Sequence, residues 1–390
     1  MPTASSTQKL RSHLNLERPP FHCIALLLQG GGALGSYQGG VYQALAEANI
    51  HPDWVAGISI GAINSALIAG NAPENRIERL REFWESVTSS PLTLGHVPHG
   101  LIKGDLAHGL VNQVSALGAL LGGAPSFFTP RLPPPFLHPA GSPDATSFYD
   151  VKPLRTTLER LVDFDRINAG QMRFSVGSVN VRTGNFAYFD NTLDTITPLH
   201  VMASGALPPG FPAVEIEGEQ YWDGGLVSNT PLQWVLGRRP RRDTLAFQID
   251  LWSAQGNFPR DLTDTAVRQK EIQFSSRTRA ATSEFRQAQT IRRAAFKLLQ
   301  HTPETMRDTP EYRLLADEAD EKVYNLVHLI YRAKSYEGTS KDYEFSRRTM
   351  LEHWQSGYND AVRTLRHPEV LQRPDNPEGL KVFDLSEAEG

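Results

Sequence analysis

The chain has 390 residues, 40% of them hydrophobic and 21% charged, with a formal net charge of −4 and a mean hydropathy of −0.36. That length holds one large domain or two medium ones with an ample core, and the acidic balance argues against a dedicated nucleic-acid binder. Cys23 is the only cysteine, so no intramolecular disulfide can form and a reducing, cytoplasmic setting is expected. The histidines stand without H-E-x-x-H or C-x-x-C spacing, which leaves a zinc site without support. No run approaches the ~20 apolar residues that span a bilayer, and the polar start of the chain lacks the apolar core of a signal peptide.

Residues 1–20 are polar and end in Pro19-Pro20, the pattern of a loose leader. Cys23 to Leu28 is a continuous apolar run, as expected for a strand covered on both faces. It leads straight into Gln29-Gly30-Gly31-Gly32-Ala33-Leu34-Gly35, and the spacing of Val41, Leu45 and Ala48 predicts a helix over Ser36 to Ala48. Trp54 to Ile58 reads as the next strand and Ile60 to Ala69 as its helix, so the start of the chain is α/β with a largely parallel sheet. A further helix opens near Asn71, with Ile77, Leu80, Trp84 and Val87 at core-facing spacing. From residue 89 to 150 Pro and Gly recur and periodicity is lost, but Leu117, Leu120, Leu121, Phe127 and Phe128 favour a cap or wall over a linker. Val151 to Val162 returns to helix; Phe174 to Val181 and Asn185 to Phe189 read as strands joined by a hairpin at Arg182-Thr183-Gly184. Thr244 to Ile249 is another buried-type strand, and beyond Asp264 helical patterns dominate except for a late strand over Asn325 to Tyr331.

Three stretches carry chemistry. Gly57-Ile58-Ser59-Ile60-Gly61 is the G-x-S-x-G pattern of a nucleophile elbow, which also arises by chance. A nucleophilic serine on a tight strand-to-helix turn needs neighbours without Cβ atoms, and the following helix brings unpaired N–H groups beside it. Gly30, Gly31, Gly32 and Gly35 admit three uses: a dinucleotide loop, a simple turn, or an oxyanion hole whose backbone N–H groups face a developing charge. A dinucleotide loop needs an acid closing the second strand; Asp53 lies at about that distance but precedes its strand. Serine needs a base, and His22, His51 and His200 stand in no recognisable setting. Asp223, followed by Gly224-Gly225, can serve if it is partly desolvated and bonded to the serine oxygen; alone, the Asp-Gly pair reads equally as a turn.

The order of these three stretches, with Ala203 to Pro212 before Asp223, resembles the patatin-like phospholipase family over roughly Ile24 to Leu232. The resemblance implies a three-layer α/β/α sandwich with a mainly parallel central sheet, and hydrolysis of lipid acyl esters by a serine–aspartate dyad without histidine. Carried over, Ser59 is the nucleophile, Asp223 the base, and Gly30, Gly31 and Gly32 the oxyanion loop, with Gly35, Gly57, Gly61, Gly224 and Gly225 as support. No metal or organic cofactor is called for; the partner is a lipid or ester substrate. One position departs: the family's glycine loop usually carries Arg or Lys where this chain has Leu34. Lys341 to Arg348 and His353 to Tyr358 resemble an extension found in a bacterial subset. The expected layout is a leader over 1–20, a catalytic domain over 21–250 with 89–150 as cap or insertion, and a mostly helical extension over 251–390 packed on it. Two other classes stay open: a catalytically silent lipid- or protein-binding scaffold, and a dinucleotide-binding enzyme.

Between Thr265 and Gln300, Arg268, Lys270, Arg277, Arg279, Arg286, Arg292, Arg293 and Lys297 face only Glu271 and Glu284, while Phe285, Ala288, Ile291, Ala295 and Leu298 form a stripe. Such a helix can lie peripherally on an anionic membrane; the blander alternative is that the stripe packs on the domain and the arginines are its solvated face. Nothing in the pattern sets an oligomeric state.

Overall fold

In the computed structural model, which describes residues 12–14, 17–88, 122–333 and 341–385, the apolar run Cys23–Leu28 forms strand β1 inside a nine-stranded sheet. Of the expected leader, residues 1–11, 15 and 16 lie outside the described residues, as do Leu117, Leu120 and Leu121 of the expected cap. Every residue of β1 is buried because both faces are covered. Ile24, Leu26 and Leu28 point into one core, and Cys23, Ala25 and Leu27 point into a second on the opposite side. The central sheet is therefore the middle of three layers.

The other strands are β2 (Trp54–Ile58), β3 (Thr129–Pro130), β4 (Tyr149–Asp150), β5 (Arg173–Asn180), β6 (Phe186–Asp190), β7 (Val214–Ile216), β8 (Glu219–Asp223), β9 (Thr244–Asp250), β10 (Tyr324–Ile330) and β11 (Leu380–Asp384). The helices are α1 (Ser36–Glu47), α2 (Ile60–Ala69), α3 (Arg76–Val87), α4 (Lys152–Leu161), α5 (Phe164–Asn168), α6 (Pro198–Ser204), α7 (Leu232–Gly237), α8 (Leu262–Gln300), α9 (Pro310–Glu318) and α10 (Arg347–Leu365). Strands β11, β10, β9, β1, β2 and β5 lie side by side, all parallel; β6 and β8 run antiparallel to β5, and β7 antiparallel to β8. The first core draws on α1, α2, α3, α4 and α10, the second on α7 and α8. This is the mainly parallel sheet with helices on both sides that the resemblance implied, with a helical C-terminal region.

That C-terminal region also completes the sheet, since β10 and β11 extend it beyond β9. Helix α10 lies against α1 at backbone distance: a Cβ on Gly40 would sit 1.8 Å from the Trp354 carbonyl oxygen, and one on Gly357 2.0 Å from that of Tyr37. Polar contacts fix the pair, with Trp354 Nε1 donating to Gln43 and the Tyr37 hydroxyl to Asp360, both at 2.8 Å. Because α1 begins directly after the glycine loop, whatever holds α1 also holds that loop.

Helix α8 is capped by Asp261, which accepts from the Asp264 amide at 2.8 Å. Its stripe is split: Phe285 and Ala295 are buried against the domain, whereas Ile291 and Leu298 are exposed. Two of its arginines have structural work. Arg292 pairs with Glu318, and Arg293 donates to the carbonyls of Pro377 and Glu321. The side chain of Arg277 lies outside the described residues. Among the described residues no helix is long and apolar enough to cross a membrane.

Candidate active site

Strand β2 ends at Ile58 and α2 begins at Ile60, so Ser59 alone makes the turn. Its backbone sits at φ 55° and ψ −123°, a conformation that a residue with a Cβ adopts only under constraint. The constraint is visible on both sides. A Cβ on Gly57 would lie 2.2 Å from the Gly61 carbonyl oxygen, and one on Gly61 would lie 2.2 Å from that of Leu28. The turn is thus closed on itself and pressed against β1. The Ser59 amide donates to Ser204 Oγ at 3.0 Å, at the end of α6. Ala62 and Ile63 donate to the Ser59 carbonyl, while the Ile60 amide has no acceptor among the described residues and contributes the positive end of α2.

Asp223 reaches this turn through the sheet. Residues Arg173 to Gly177 of β5 pair with β2, and Ser178 to Asn180 pair with β8. Strand β6 pairs with Ser175 to Val179, overlapping both, so β6 takes one edge of β5 while β2 and β8 share the other. Ile58 stands opposite Gly177, and Asp223 stands opposite Ser178, the next residue along. Strand β8 therefore continues the edge at the point where β2 leaves it, which brings Asp223 beside Ser59. Asp223 is 2% exposed. Its carboxylate accepts from the Gly225 amide at 2.7 Å, and the Ser59 hydroxyl is near enough to pull its pKa down. Burial raises its pKa from 3.8 to about 6 against the opposing pull of the Ser59 hydroxyl and the Gly225 amide.

The glycine loop closes the third side. Gly30, Gly31 and Gly32 line one cavity with Ser59 and Asp223, and their three amides have no acceptor among the described residues. The Gly30 carbonyl is held by Asn229 Nδ2 and Trp252 Nε1, each at 3.0 Å. Trp252 is itself set by Gln29, whose Oε1 accepts from the Leu251 and Trp252 amides at 2.6 and 3.2 Å. Gly32, at φ +57°, presses against the Asp342 carbonyl, which accepts from Ala33 at 2.8 Å. Leu34 is fully buried in the first core and does not line the cavity, so a side chain at this position is not presented to the glycine amides.

The cavity has a volume of about 290 Å³ and is walled mainly by aromatic rings. Phe128 packs edge-on against Tyr149 at 4.8 Å between centroids, and Phe211 and Phe345 complete the group. Phe127 and Phe128, from the segment expected to act as a wall, line it. So do Asp342, Tyr343 and Phe345, from a C-terminal block whose residues suggested no job.

Among the described residues no histidine lines this cavity. His22 is exposed beside Asp243, His51 is half-buried, and His200 closes a capping box with Thr197 at the start of α6. Asp53 is spent at the other end of the sheet, where it accepts from the Ile24 amide and pairs with Arg18. It is far along β1 from the glycine loop that a dinucleotide would need it to face. Sequence reasoning missed Asn229, Trp252, Gln29 and Ser204. All four act through hydrogen bonds to backbone made across long stretches of chain, which no local pattern reveals.

A sequence profile described as "Patatin-like phospholipase" matches residues 26–236, more than half of the chain. The chain belongs to the patatin-like phospholipase family. A second family profile, "Patatin phospholipase", matches residues 272–377 and so covers the cavity-lining block Asp342 to Phe345. Patatin-like phospholipase domain-containing protein 7 of Rattus norvegicus is 42% identical over 74 residues, 19% of this chain and 6% of that protein. Lysophospholipase nte1 of Aspergillus terreus is 53% identical over 49 residues, 13% of this chain and 3% of that protein. The match therefore spans only a small part of these curated relatives. VipD from Legionella pneumophila aligns with 99% of this patatin-like chain and 78% of its own, at 15% identity and a TM-score of 0.40.

Proposed function

We propose that this patatin-like protein is a serine acyl hydrolase acting on lipid esters of the phospholipase A or lysophospholipase type, with Ser59 as nucleophile and Asp223 as base. The reading rests on one observation. Gly177 and Ser178, consecutive in β5, pair with Ile58 and Asp223, so a buried carboxylate stands beside a serine held at a strained turn. In the first step Asp223 takes the Ser59 proton as Oγ bonds to the ester carbonyl carbon. The amides of Gly30, Gly31 and Gly32 hold the oxyanion. The tetrahedral adduct collapses, the C–O bond to the alcohol breaks, and Asp223 returns the proton to the leaving oxygen. Asp223 then deprotonates a water that attacks the acyl-serine; the fatty acid leaves and Ser59 regains its proton.

The apolar, aromatic cavity suits an acyl chain, and a lipid-bearing surface is its source of substrate. The same proposal includes peripheral membrane contact through the exposed loop between β3 and β4, which emerges between cavity residues Phe128 and Tyr149, and a cytoplasmic setting for the lone buried thiol of Cys23. The test is hydrolysis of p-nitrophenyl butyrate and of a lysophospholipid and phospholipid panel by wild type, Ser59→Ala and Asp223→Asn, with fluorophosphonate labelling of each. Loss of hydrolysis and of labelling in folded Ser59→Ala is the expected result. A folded wild type that neither labels nor hydrolyses any ester would instead favour a silent lipid-binding scaffold.

A further inference from the structure

The glycine loop has a weakness built into its composition. Three successive glycines free the amides to approach a substrate, but they also remove the side chains that normally fix a peptide plane. Rotation of the Gly30–Gly31 plane changes ψ of one glycine and φ of the next, and neither residue resists it locally. Something outside the loop must choose the orientation.

Two distant side chains do so. Asn229 Nδ2 and Trp252 Nε1 both donate to the Gly30 carbonyl oxygen at 3.0 Å, using both of its acceptor positions. A trans peptide turns the next N–H to the side opposite its carbonyl, so the same two bonds aim the Gly31 amide. That amide has no acceptor among the described residues, and Gly31 lines the cavity beside Ser59. Both donors are themselves held. Asn229 is buried close to Gly225, where a Cβ would meet its Oδ1 at 3.1 Å, and Gly225 is the residue whose amide donates to Asp223. Trp252 is 3% exposed, and its backbone amide donates to Gln29, the residue just before the loop.

We propose that Asn229 and Trp252 are positioning residues that hold the Gly30–Gly31 peptide with its N–H toward the oxyanion. This inference rests on the acyl-hydrolase reading above and adds to it a reason for the loop's orientation. Asn229 further couples the two halves of the site, because it touches both the glycine loop and the turn that follows Asp223. Removing either donor frees the Gly30 carbonyl to turn inward, which withdraws the Gly31 amide and presents a carbonyl oxygen to the developing negative charge. Both donors also line the cavity, but Trp252→Phe keeps an aromatic ring in its wall, so substrate binding there depends little on the peptide's orientation.

The experiment compares wild type, Asn229→Asp, Trp252→Phe and Ser59→Ala on p-nitrophenyl butyrate, with thermal unfolding of each. Alongside, inhibition by an alkyl trifluoromethyl ketone reports the tetrahedral adduct. Asn229→Asp and Trp252→Phe lie on different segments and remove the donor while keeping most of the volume, so misfolding of one leaves the other to decide. The expected result is a fall in kcat of about tenfold or more, approaching the roughly 10²–10³-fold that outright loss of an oxyanion donor costs, with KM within about twofold. Ketone affinity should fall in proportion to kcat/KM across the series. A merely structural role would lower the unfolding temperature and leave kcat of the folded fraction and ketone affinity unchanged, and that result overturns the proposal. If wild type is active and Ser59→Ala is silent while both folded variants keep the wild-type kcat, this inference fails and the hydrolase reading stands. If Ser59→Ala keeps wild-type activity, the hydrolase reading fails and takes this inference with it.

Discussion

The backbone N–H of Ser59 donates to the hydroxyl of Ser204 at 3.0 Å, and that hydroxyl donates in turn to the Gly177 carbonyl at 2.6 Å. One fully buried side chain on α6 thereby ties the strained turn to the β5 residue at which β2 ends. Positive φ at a non-glycine residue costs of order 1–3 kcal/mol and persists only where neighbours enforce it. Ser204→Ala strands a buried donor and a buried acceptor together, so a loss of about 2–3 kcal/mol in denaturant unfolding is expected. Hydrolysis of p-nitrophenyl butyrate should fall at least severalfold in kcat, and Ser204→Thr, which keeps the hydroxyl, should retain more activity than alanine. Unchanged kcat in Ser204→Ala would mean that the turn holds its shape without this bond.

Asp223 should set a pH dependence of both activity and stability. Burial raises its pKa to about 6, so the fraction of enzyme carrying the base in its ionised form should climb across that value. The rising limb of kcat/KM for a non-ionising ester is expected near pH 6 and should vanish from whatever activity remains in Asp223→Asn. The stability effect has the opposite sense. A folded pKa above the unfolded one means that the native state binds the extra proton, so this group's contribution is present below about pH 4 and lost as pH rises through 6. A shift of about two units corresponds to roughly 3 kcal/mol. Relative to wild type, Asp223→Asn should therefore gain stability between pH 4.5 and pH 8, measured by urea unfolding. A difference that stays constant with pH would show that Asp223 is not an uncomfortable buried anion.

Much of the candidate site was legible because its residues stand in short, contiguous stretches. Ser59 between Gly57 and Gly61, the run Gly30 to Gly32, and Asp223 before Gly224-Gly225 each carry their steric reason in adjacent residues, and the structure gathers them around one cavity. The strands leading to them were equally plain, since β1 and β2 are apolar throughout and end where the motifs begin. What could not be read were contacts made by ordinary residues over long separations. Trp252 is 222 positions from the carbonyl it holds, and nothing near it distinguishes it from a core tryptophan. The same applies to Asp342, which contributes only its backbone oxygen to the loop. The charge pattern of α8 left a membrane face and a solvated face open, and charge counted along a helix does not reveal that Arg292 pairs with Glu318 or that Arg293 is engaged with the carbonyls of Pro377 and Glu321.

The C-terminal helix should prove necessary for activity although it contributes no candidate catalytic group. A Cβ on Gly357 would lie 2.0 Å from the Tyr37 carbonyl oxygen and 2.9 Å from its carbon, both backbone atoms that cannot swing aside. Gly357→Ala must therefore push α10 away from α1, and overpacking of this kind typically costs about 1–3 kcal/mol. Because α1 follows the glycine loop directly, the same displacement should lower kcat more than Gly237→Ala, at a glycine where an added Cβ meets nothing within 4 Å. Equal kcat and equal unfolding midpoints for the two variants would separate α10 from the loop.

Contact with a lipid surface should run through the loop between β3 and β4 instead of through α8. Leu132, Phe136 and Leu137 are 87%, 77% and 67% exposed there, three large apolar side chains on a loop whose ends, Phe128 and Tyr149, line the cavity. Burying such a side chain fully is worth about 1.5–3 kcal/mol, so even shallow insertion of three would hold the protein at a membrane. The triple change Leu132→Ser, Phe136→Ser and Leu137→Ser should reduce co-sedimentation with phosphatidylcholine–phosphatidylglycerol vesicles by about tenfold or more. Hydrolysis of soluble p-nitrophenyl butyrate should stay at the wild-type level, because none of the three lines the cavity. Arg292→Glu with Arg293→Glu should act differently. Those arginines hold Glu318 and the carbonyls of Pro377 and Glu321, so the double variant should unfold at a lower temperature. Equal sedimentation of wild type and the triple serine variant would leave the loop as ordinary surface; weaker sedimentation of a fully folded arginine variant alone would return the role to α8.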